Sequence, residues 1–150
     1  SNRDLNLHMV GKLQSNKAKS AVELFDYVHS LDNQRLADVL SKSQKNLNKS
    51  LKYFIQVNVG NELKKSGIRP NELEPFYNYC TKEQNLNVIG LMAIPPNDDK
   101  TNKYFEIMKN LNNSLALKEL SMGMSSDYIE AINYSSTFVR IGSSIFGSRT

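Results

Sequence analysis

Leu120-Ser-Met-Gly-Met-Ser-Ser-Asp127 and, after an amphipathic segment, Phe138-Val-Arg-Ile-Gly-Ser-Ser-Ile-Phe-Gly147 are the two stretches around which the chain is organised. Each is a short apolar run that ends in Gly and Ser before residues able to start a helix. Such an end presents free backbone N–H groups and hydroxyls where a helix begins, and the partial positive charge there favours a phosphate. Two of them in succession describe a phosphate cup, which a (β/α) barrel builds from the loops after its last two strands. Arg140 stands just before the second loop, at the strand end that faces the same cavity. The expectation is a bound phosphorylated cofactor or substrate with Arg140 as a polar anchor beside it. Taken singly, Gly123, Gly142 and Gly147 also fit ordinary turns, Met122 and Met124 fit core packing, and Arg140 fits a salt bridge. The joint spacing favours the cup: Arg140 stands two residues before Gly142 and fifteen after Ser125.

Upstream, strand and helix patterns alternate. Residues 7–10 form a short apolar run closed by Gly11, with a helical pattern through Leu24. Residues 25–30 read as a second strand, and Asn33 then caps a helix whose Leu36, Val39, Leu40 and Leu47 share one face. Residues 52–59 are the clearest strand, rich in β-branched and aromatic side chains. Its alternation puts Phe54, Gln56 and Asn58 on one side and Tyr53, Ile55, Val57 and Val59 on the other, so the side with polar residues is expected to line a cavity. Pro70 suits a first helical position ahead of Leu73, Phe76, Tyr77 and Cys80. Residues 86–92 are the next strand, a turn-rich loop follows through Asp99, and Tyr104, Phe105, Ile107, Met108, Leu111 and Leu115 mark a long helix. Strict alternation implies a parallel sheet with helices outside it. No Gly-x-Gly-x-x-Gly follows the first strand and no P-loop occurs, so the doubly wound nucleotide-binding folds lack their fingerprint. A barrel is the better reading. Six units in 150 residues average about 25 each, and eight would take about 200.

Composition sets the outer bounds. The chain has 150 residues, enough for one domain with its own core. It has no apolar run approaching the ~18 residues that span a bilayer, so no membrane role is expected. The net charge of +4 comes from lysines scattered over several helices, whereas nucleic-acid binders gather theirs into a patch. The nearest cluster, Lys42, Lys45, Lys49 and Lys52, reads as a solvated face. A single cysteine, Cys80, excludes an internal disulfide or a cysteine-based metal cluster and fits a reducing cytoplasm. It reads as packed, Lys12 as a solvated loop lysine, and His29 as a structural residue without a partner pattern.

Five segments carry a resemblance to a known family: His8-Met-Val-Gly-Lys-Leu-Gln-Ser-Asn-Lys17, Lys65-Ser-Gly-Ile68, Gly90-Leu-Met-Ala-Ile-Pro95, Leu120-Ser-Met-Gly-Met-Ser125 and Val139-Arg-Ile-Gly-Ser-Ser-Ile-Phe-Gly147. In this order, and over nearly the whole chain, they resemble the pyridoxal phosphate homeostasis protein family. The resemblance implies a (β/α)8 TIM-type barrel like the N-terminal domain of alanine racemase, with about six of the eight βα units in this chain. It implies a single domain over residues 1–150 that binds pyridoxal 5'-phosphate (PLP) without an established reaction. Members begin with two further strands, the first bearing the lysine that attaches PLP, so this chain resembles about the last two thirds of a member. If it is complete as given, covalent attachment is in question.

Carried over by position, Ser125, Gly142 and Ser143 resemble the phosphate ligands, and Ser143 stands where members often have Thr. Arg140 resembles the arginine that faces the pyridine nitrogen. Met124 falls among the cofactor-binding positions, and His8 and Asn58 are candidates to line the cavity from below, with simple interior packing as the alternative for both. The expected partners are PLP and, as recipients, PLP-dependent apoenzymes. A PLP-dependent amino-acid racemase is the competing reading, although the chain shows no clear second base. A barrel enzyme for another phosphorylated ligand is a third.

Overall fold

A computed structural model describes residues 5–140. Its centre is one parallel sheet of six strands, β1 (His8–Met9), β2 (Tyr27–Leu31), β3 (Lys52–Gln56), β4 (Asn87–Met92), β5 (Glu119–Met124) and β6 (Phe138–Arg140), hydrogen-bonded in chain order. Five α-helices follow the first five strands: α1 (Ala18–Leu24), α2 (Gln34–Leu47), α3 (Leu73–Asn78), α4 (Thr101–Ser114) and α5 (Tyr128–Asn133). Sequential parallel order, with each crossover carrying a helix, is the topology of a (β/α) barrel rather than of a doubly wound sheet, whose strand order reverses.

The sheet is strongly curled. In a flat sheet β1 and β6 would lie about 24 Å apart, five strand spacings away. Instead the His8 and Phe138 rings, from these two end strands, approach to 5.5 Å between centroids. Phe138 also lies 5.3 Å from the Phe54 ring of β3. The six strands therefore wrap a common interior, as a barrel wall does.

Local sequence explains how each element seats. The Asn33 side chain accepts the Leu36 N–H at 2.9 Å, satisfying an otherwise unpaired donor of the first turn of α2. At the other end Asn48 takes the left-handed conformation (φ 50°), to which Asn is better suited than most residues. Leu36, Ala37 and Leu40 of α2, Ala18, Ala21 and Val22 of α1, and Phe105 and Met108 of α4 are buried against the outer face of the sheet. That face supplies Val28, Tyr53, Ile55, Val57, Val88, Leu91, Leu120 and Met122. Gln44 fastens α2 to β3, its Oε1 accepting both the Leu51 N–H (2.8 Å) and the Tyr53 hydroxyl (2.7 Å). Asn112 does the same for α4: it accepts the Leu91 N–H and donates to the Leu117 and Glu119 carbonyls. Gly90 is required by close approach, because a Cβ there would lie 2.1 Å from the Glu119 carbonyl oxygen.

Two strands are shorter than the sequence pattern implies. β1 is only His8–Met9, and β3 ends at Gln56, after which Val57 bridges to Ile68 of the following loop. The helical pattern around Cys80 runs on from α3 as a wider π-turn over Tyr79–Glu83. Cys80 is buried, and burial pushes its thiol up to about 12, so it packs rather than reacts. Lys52 opens β3, with its ammonium 5.4 Å from the Tyr27 ring centroid, so it belongs to a different element from Lys42 and Lys45 of α2. Among the described residues no helix is long and apolar enough to cross a membrane.

Candidate functional site

Two clefts open at the C-terminal tips of the strands, the end at which parallel barrels place their ligands. One, of about 420 Å³, is lined by Gln56 at the end of β3 and Asn58 beyond it, by Glu62 and Lys65, and by the loop after β4. The other, of about 270 Å³, lies on the far side of that same loop, against Gly123, Met124, Ser126 and Asp127 at the end of β5. The loop Ile94–Asn97 forms a wall of both. As the alternation of β3 implies, Gln56 and Asn58 face a cavity while Tyr53 and Ile55 join the core beneath the helices; Val57 belongs to the core and borders the cleft as well.

Arg140 projects into the barrel from β6. Nη1 donates to the Ser121 hydroxyl of β5 at 3.1 Å and Nη2 to the Ala93 carbonyl beyond β4 at 3.3 Å. Its Nε is buried and has no hydrogen-bond partner among the described residues. Burial lowers the pKa of Arg140, while the Asp127 carboxylate raises it. The guanidinium stays charged under any ordinary condition.

Ser125 lies half-buried in the turn between β5 and α5. That turn is closed by Asp127, whose Oδ1 accepts the Met124 N–H at 2.8 Å. Met124 is partly exposed and lines the smaller cleft. Gly123 takes φ +102°, which brings the strand end close to α5; a Cβ there would meet the Ala131 methyl at 2.6 Å. Gly142 and Ser143 lie outside the described residues. Asn58 lines the larger cleft at the strand tips, and both ends of its amide are engaged: Nδ2 donates to the Glu62 carbonyl and Oδ1 accepts the Glu62 N–H. It therefore clamps the loop after β3 as well as lining the cleft.

His8 enters the interior from β1. It stacks on Tyr27 (4.0 Å between centroids, 9° between planes), and its Nδ1 lies 2.9 Å from His29 Nε2. His29 stacks on Phe54 at 4.2 Å, and its Nδ1 lies 2.8 Å from Ser121 Oγ. Burial, the neighbouring His8 and Arg140 push His29 down to about 3, and burial lowers His8 despite the nearby Asp26. Both imidazoles are thus neutral at physiological pH. The sequence pattern alone missed His29 and Ser121. Its usable signal was strand parity, since Tyr27 and His29 share the interior side of β2 as Phe54 and Gln56 share that of β3.

The geometry offers a fixed, half-buried cation whose Nε lacks a partner among the described residues, hydroxyls and turns at strand tips, and neutral aromatic rings in the barrel interior. A family model described as the N-terminal domain of alanine racemase matches residues 4–150. The pyridoxal phosphate homeostasis protein of Aquifex aeolicus is 39% identical over 155 aligned residues, which cover 97% of this chain and 68% of that protein. Its counterpart in Pasteurella multocida is also 39% identical, over 99% of this chain and 68% of its own. Among solved structures, PipY of Synechococcus elongatus with PLP bound superposes with a TM-score of 0.87 at 36% identity, covering 97% of this chain and 72% of that one.

Proposed function

The chain belongs to the alanine racemase N-terminal domain family, and within it to the pyridoxal phosphate homeostasis proteins; on that premise we propose that it binds PLP at the strand tips of a single barrel-type domain and serves as a cofactor carrier in PLP homeostasis. The observation that carries this reading is the buried Nε of Arg140, left without a partner among the described residues. A buried donor without an acceptor is costly, and an unprotonated pyridine nitrogen is the acceptor it lacks. The residues present thus fit the group.

In this reading Arg140 binds the ring nitrogen, Ser125 with Gly142 and Ser143 holds the phosphate, and Met124, His8 and Asn58 line the cavity. Bound PLP supplies an aldehyde that condenses with amines and a ring that withdraws electrons. The fixed charge of Arg140 disfavours a proton on the ring nitrogen and so weakens that withdrawal, which suits holding the cofactor better than transamination. Racemisation would require a base on each face of the substrate carbon. Tyr53 turns its hydroxyl to Gln44 on the helix side of the sheet, and Tyr27 lies flat against His8. These commitments favour the carrier over the racemase. PLP-dependent apoenzymes are the recipients in this proposal. A cytoplasmic setting belongs to it too, in keeping with the single cysteine of the sequence.

The test is a titration of the chain with PLP, followed by absorbance and fluorescence, with inorganic phosphate as competitor and amino acids added afterwards. Saturable binding that phosphate displaces, with no change in any amino acid, supports the carrier. Turnover of an amino acid transfers the assignment to a racemase-like enzyme. Absence of saturable uptake rejects both.

A further inference from the structure

Inside the curl of the sheet runs a continuous hydrogen-bonded chain of four side chains from four strands. Arg140 Nη1 donates to Ser121 Oγ, Ser121 Oγ lies against His29 Nδ1, and His29 Nε2 lies against His8 Nδ1. A guanidinium has donors and no acceptor, so Ser121 Oγ accepts in the first contact. Ser121 is fully buried, and for its own proton His29 Nδ1 is the only acceptor among the described residues.

Only one neutral arrangement satisfies every proton. If His29 carried its hydrogen on Nδ1, Ser121 Oγ would accept twice and its own hydrogen would be left buried without an acceptor. If Ser121 donates to Nδ1, His29 is protonated on Nε2 and donates to His8 Nδ1, and the remaining N–H of His8 lies at the half-buried end of the chain. The direction Arg140 to Ser121 to His29 to His8 is therefore imposed by the one member that cannot accept. The rings are pinned as well: Phe54 stacks on His29, Tyr27 on His8, and Phe138 stands T-shaped to His29 with 5.8 Å between ring centroids. A doubly protonated His29 would reverse the bond to Ser121 and set a second cation beside Arg140. Among the described residues, the charged or titratable groups that face His29 are Arg140 from β6, His8 from β1 and Tyr27 from its own strand, with no carboxylate among them.

We propose that Ser121 and His29 are positioning residues for Arg140: their one-way relay holds the guanidinium with Nη1 on Ser121 and Nη2 on the Ala93 carbonyl, leaving Nε as the donor reserved for the cofactor's ring nitrogen. The relay stands on the geometry of the free chain, and only its purpose rests on the PLP reading. The hydrogen bonds that orient this cation go to two neutral groups, the Ser121 hydroxyl and the Ala93 carbonyl, while Asp127 acts on it through charge alone.

Two measurements separate the parts. Long-range imidazole nitrogen NMR on the labelled chain without cofactor, at neutral pH, should find His29 and His8 both protonated on Nε2. Ser121→Ala should erase the His29 preference, and Ser121→Thr, which keeps the hydroxyl, should retain it. In PLP titrations Ser121→Ala should raise Kd about tenfold, as expected for one hydrogen bond to a charged group, and shift the absorption band of bound PLP, with Ser121→Thr restoring both. A wild-type His29 protonated on Nδ1 overturns the relay. A folded Ser121→Ala chain whose PLP affinity and spectrum match the wild type overturns the positioning role. A wild-type chain that binds no PLP overturns the cofactor reading instead, and the tautomers then still decide the relay.

Discussion

The Gly67 N–H donates to the Asp32 carboxylate over 2.9 Å, tying the loop after β3 to the tip of β2. Gly67 has φ +111°, and its backbone packs so closely on Asn58 that a Cβ would lie 2.6 Å from the Asn58 nitrogen. Two side chains thus fix the loop that walls the larger cleft, Asp32 at Gly67 and Asn58 at Glu62, beside the backbone bonds that Ile68 makes with Gln56 and Asn58. Asp32→Ala removes the first. It should cost about 1 kcal/mol of stability, mainly the Gly67 bond, because the other bond it removes, from the Asn33 side-chain amide, is exposed. Amide hydrogen exchange at Gly67 and Ile68 should rise, while exchange in α2, whose cap is Asn33, should not. Unchanged protection at Gly67 would show that the Asn58 clamp suffices.

Gly90→Ala tests the close approach of β4 and β5. The new methyl would meet the Glu119 carbonyl oxygen at 2.1 Å and Phe54 Cε2 at 2.9 Å. The first contact is backbone and cannot step aside without breaking strand pairing. The loss should be about 3 kcal/mol, at the upper end of the usual cost of overpacking. Thermal unfolding by circular dichroism measures it, and a melting temperature within a degree of wild type would contradict the sheet geometry.

The sequence made the wall of this fold legible and left most of its floor hidden. Residues 52–59 announced a strand through β-branched residues and alternation, and Asn33 announced a helix start; both signals are local, and both elements are where these residues place them. The end of β3 was less clear, because Val57 keeps the alternation and still donates to the Met92 carbonyl of β4 but bridges on its other side to Ile68 of the following loop. His29 read as a structural residue because its partner, Ser121, lies 92 residues away and meets it only when the sheet curls. Arg140 drew notice in the sequence because glycine and serine follow it closely, at Gly142 and Ser143. Of the residues expected to form the phosphate cup, only Ser125 lies within the described chain.

Acid should weaken the fold through His29. Its folded pKa is depressed to about 3 by burial, His8 and Arg140, against an ordinary 6.5 in the unfolded chain. Below 6.5 the unfolded state binds the proton that the folded state refuses, so the stability is fully present above pH 6.5 and is lost as pH falls from there toward 3. The slope from this one group approaches about 1.4 kcal/mol per pH unit. His8, also depressed by burial, adds in the same direction. Urea unfolding between pH 7.5 and 5 should show the decline, and His29→Gln should flatten it. An equal slope in the variant would assign the acid sensitivity elsewhere.

Arg140 is the position at which charge and geometry can be separated. Arg140→Lys keeps a cation but offers a compact ammonium in place of the planar fork, so it cannot serve Ser121, Ala93 and a ring nitrogen with the same three donors. Arg140→Gln keeps polarity and removes the charge. If the guanidinium acts mainly by position, both variants should lose PLP affinity to a similar extent, about tenfold for one hydrogen bond to a charged group. If the charge itself also keeps the ring nitrogen unprotonated, Arg140→Gln alone should shift the pH at which bound PLP changes its absorption, toward a more readily protonated ring. The expected result is a loss of affinity in both and the spectroscopic shift only in Arg140→Gln, measured by fluorescence titration and by absorbance from pH 6 to 9. Wild-type affinity in both variants would separate Arg140 from the cofactor altogether, because no other buried side-chain nitrogen among the described residues lacks a partner.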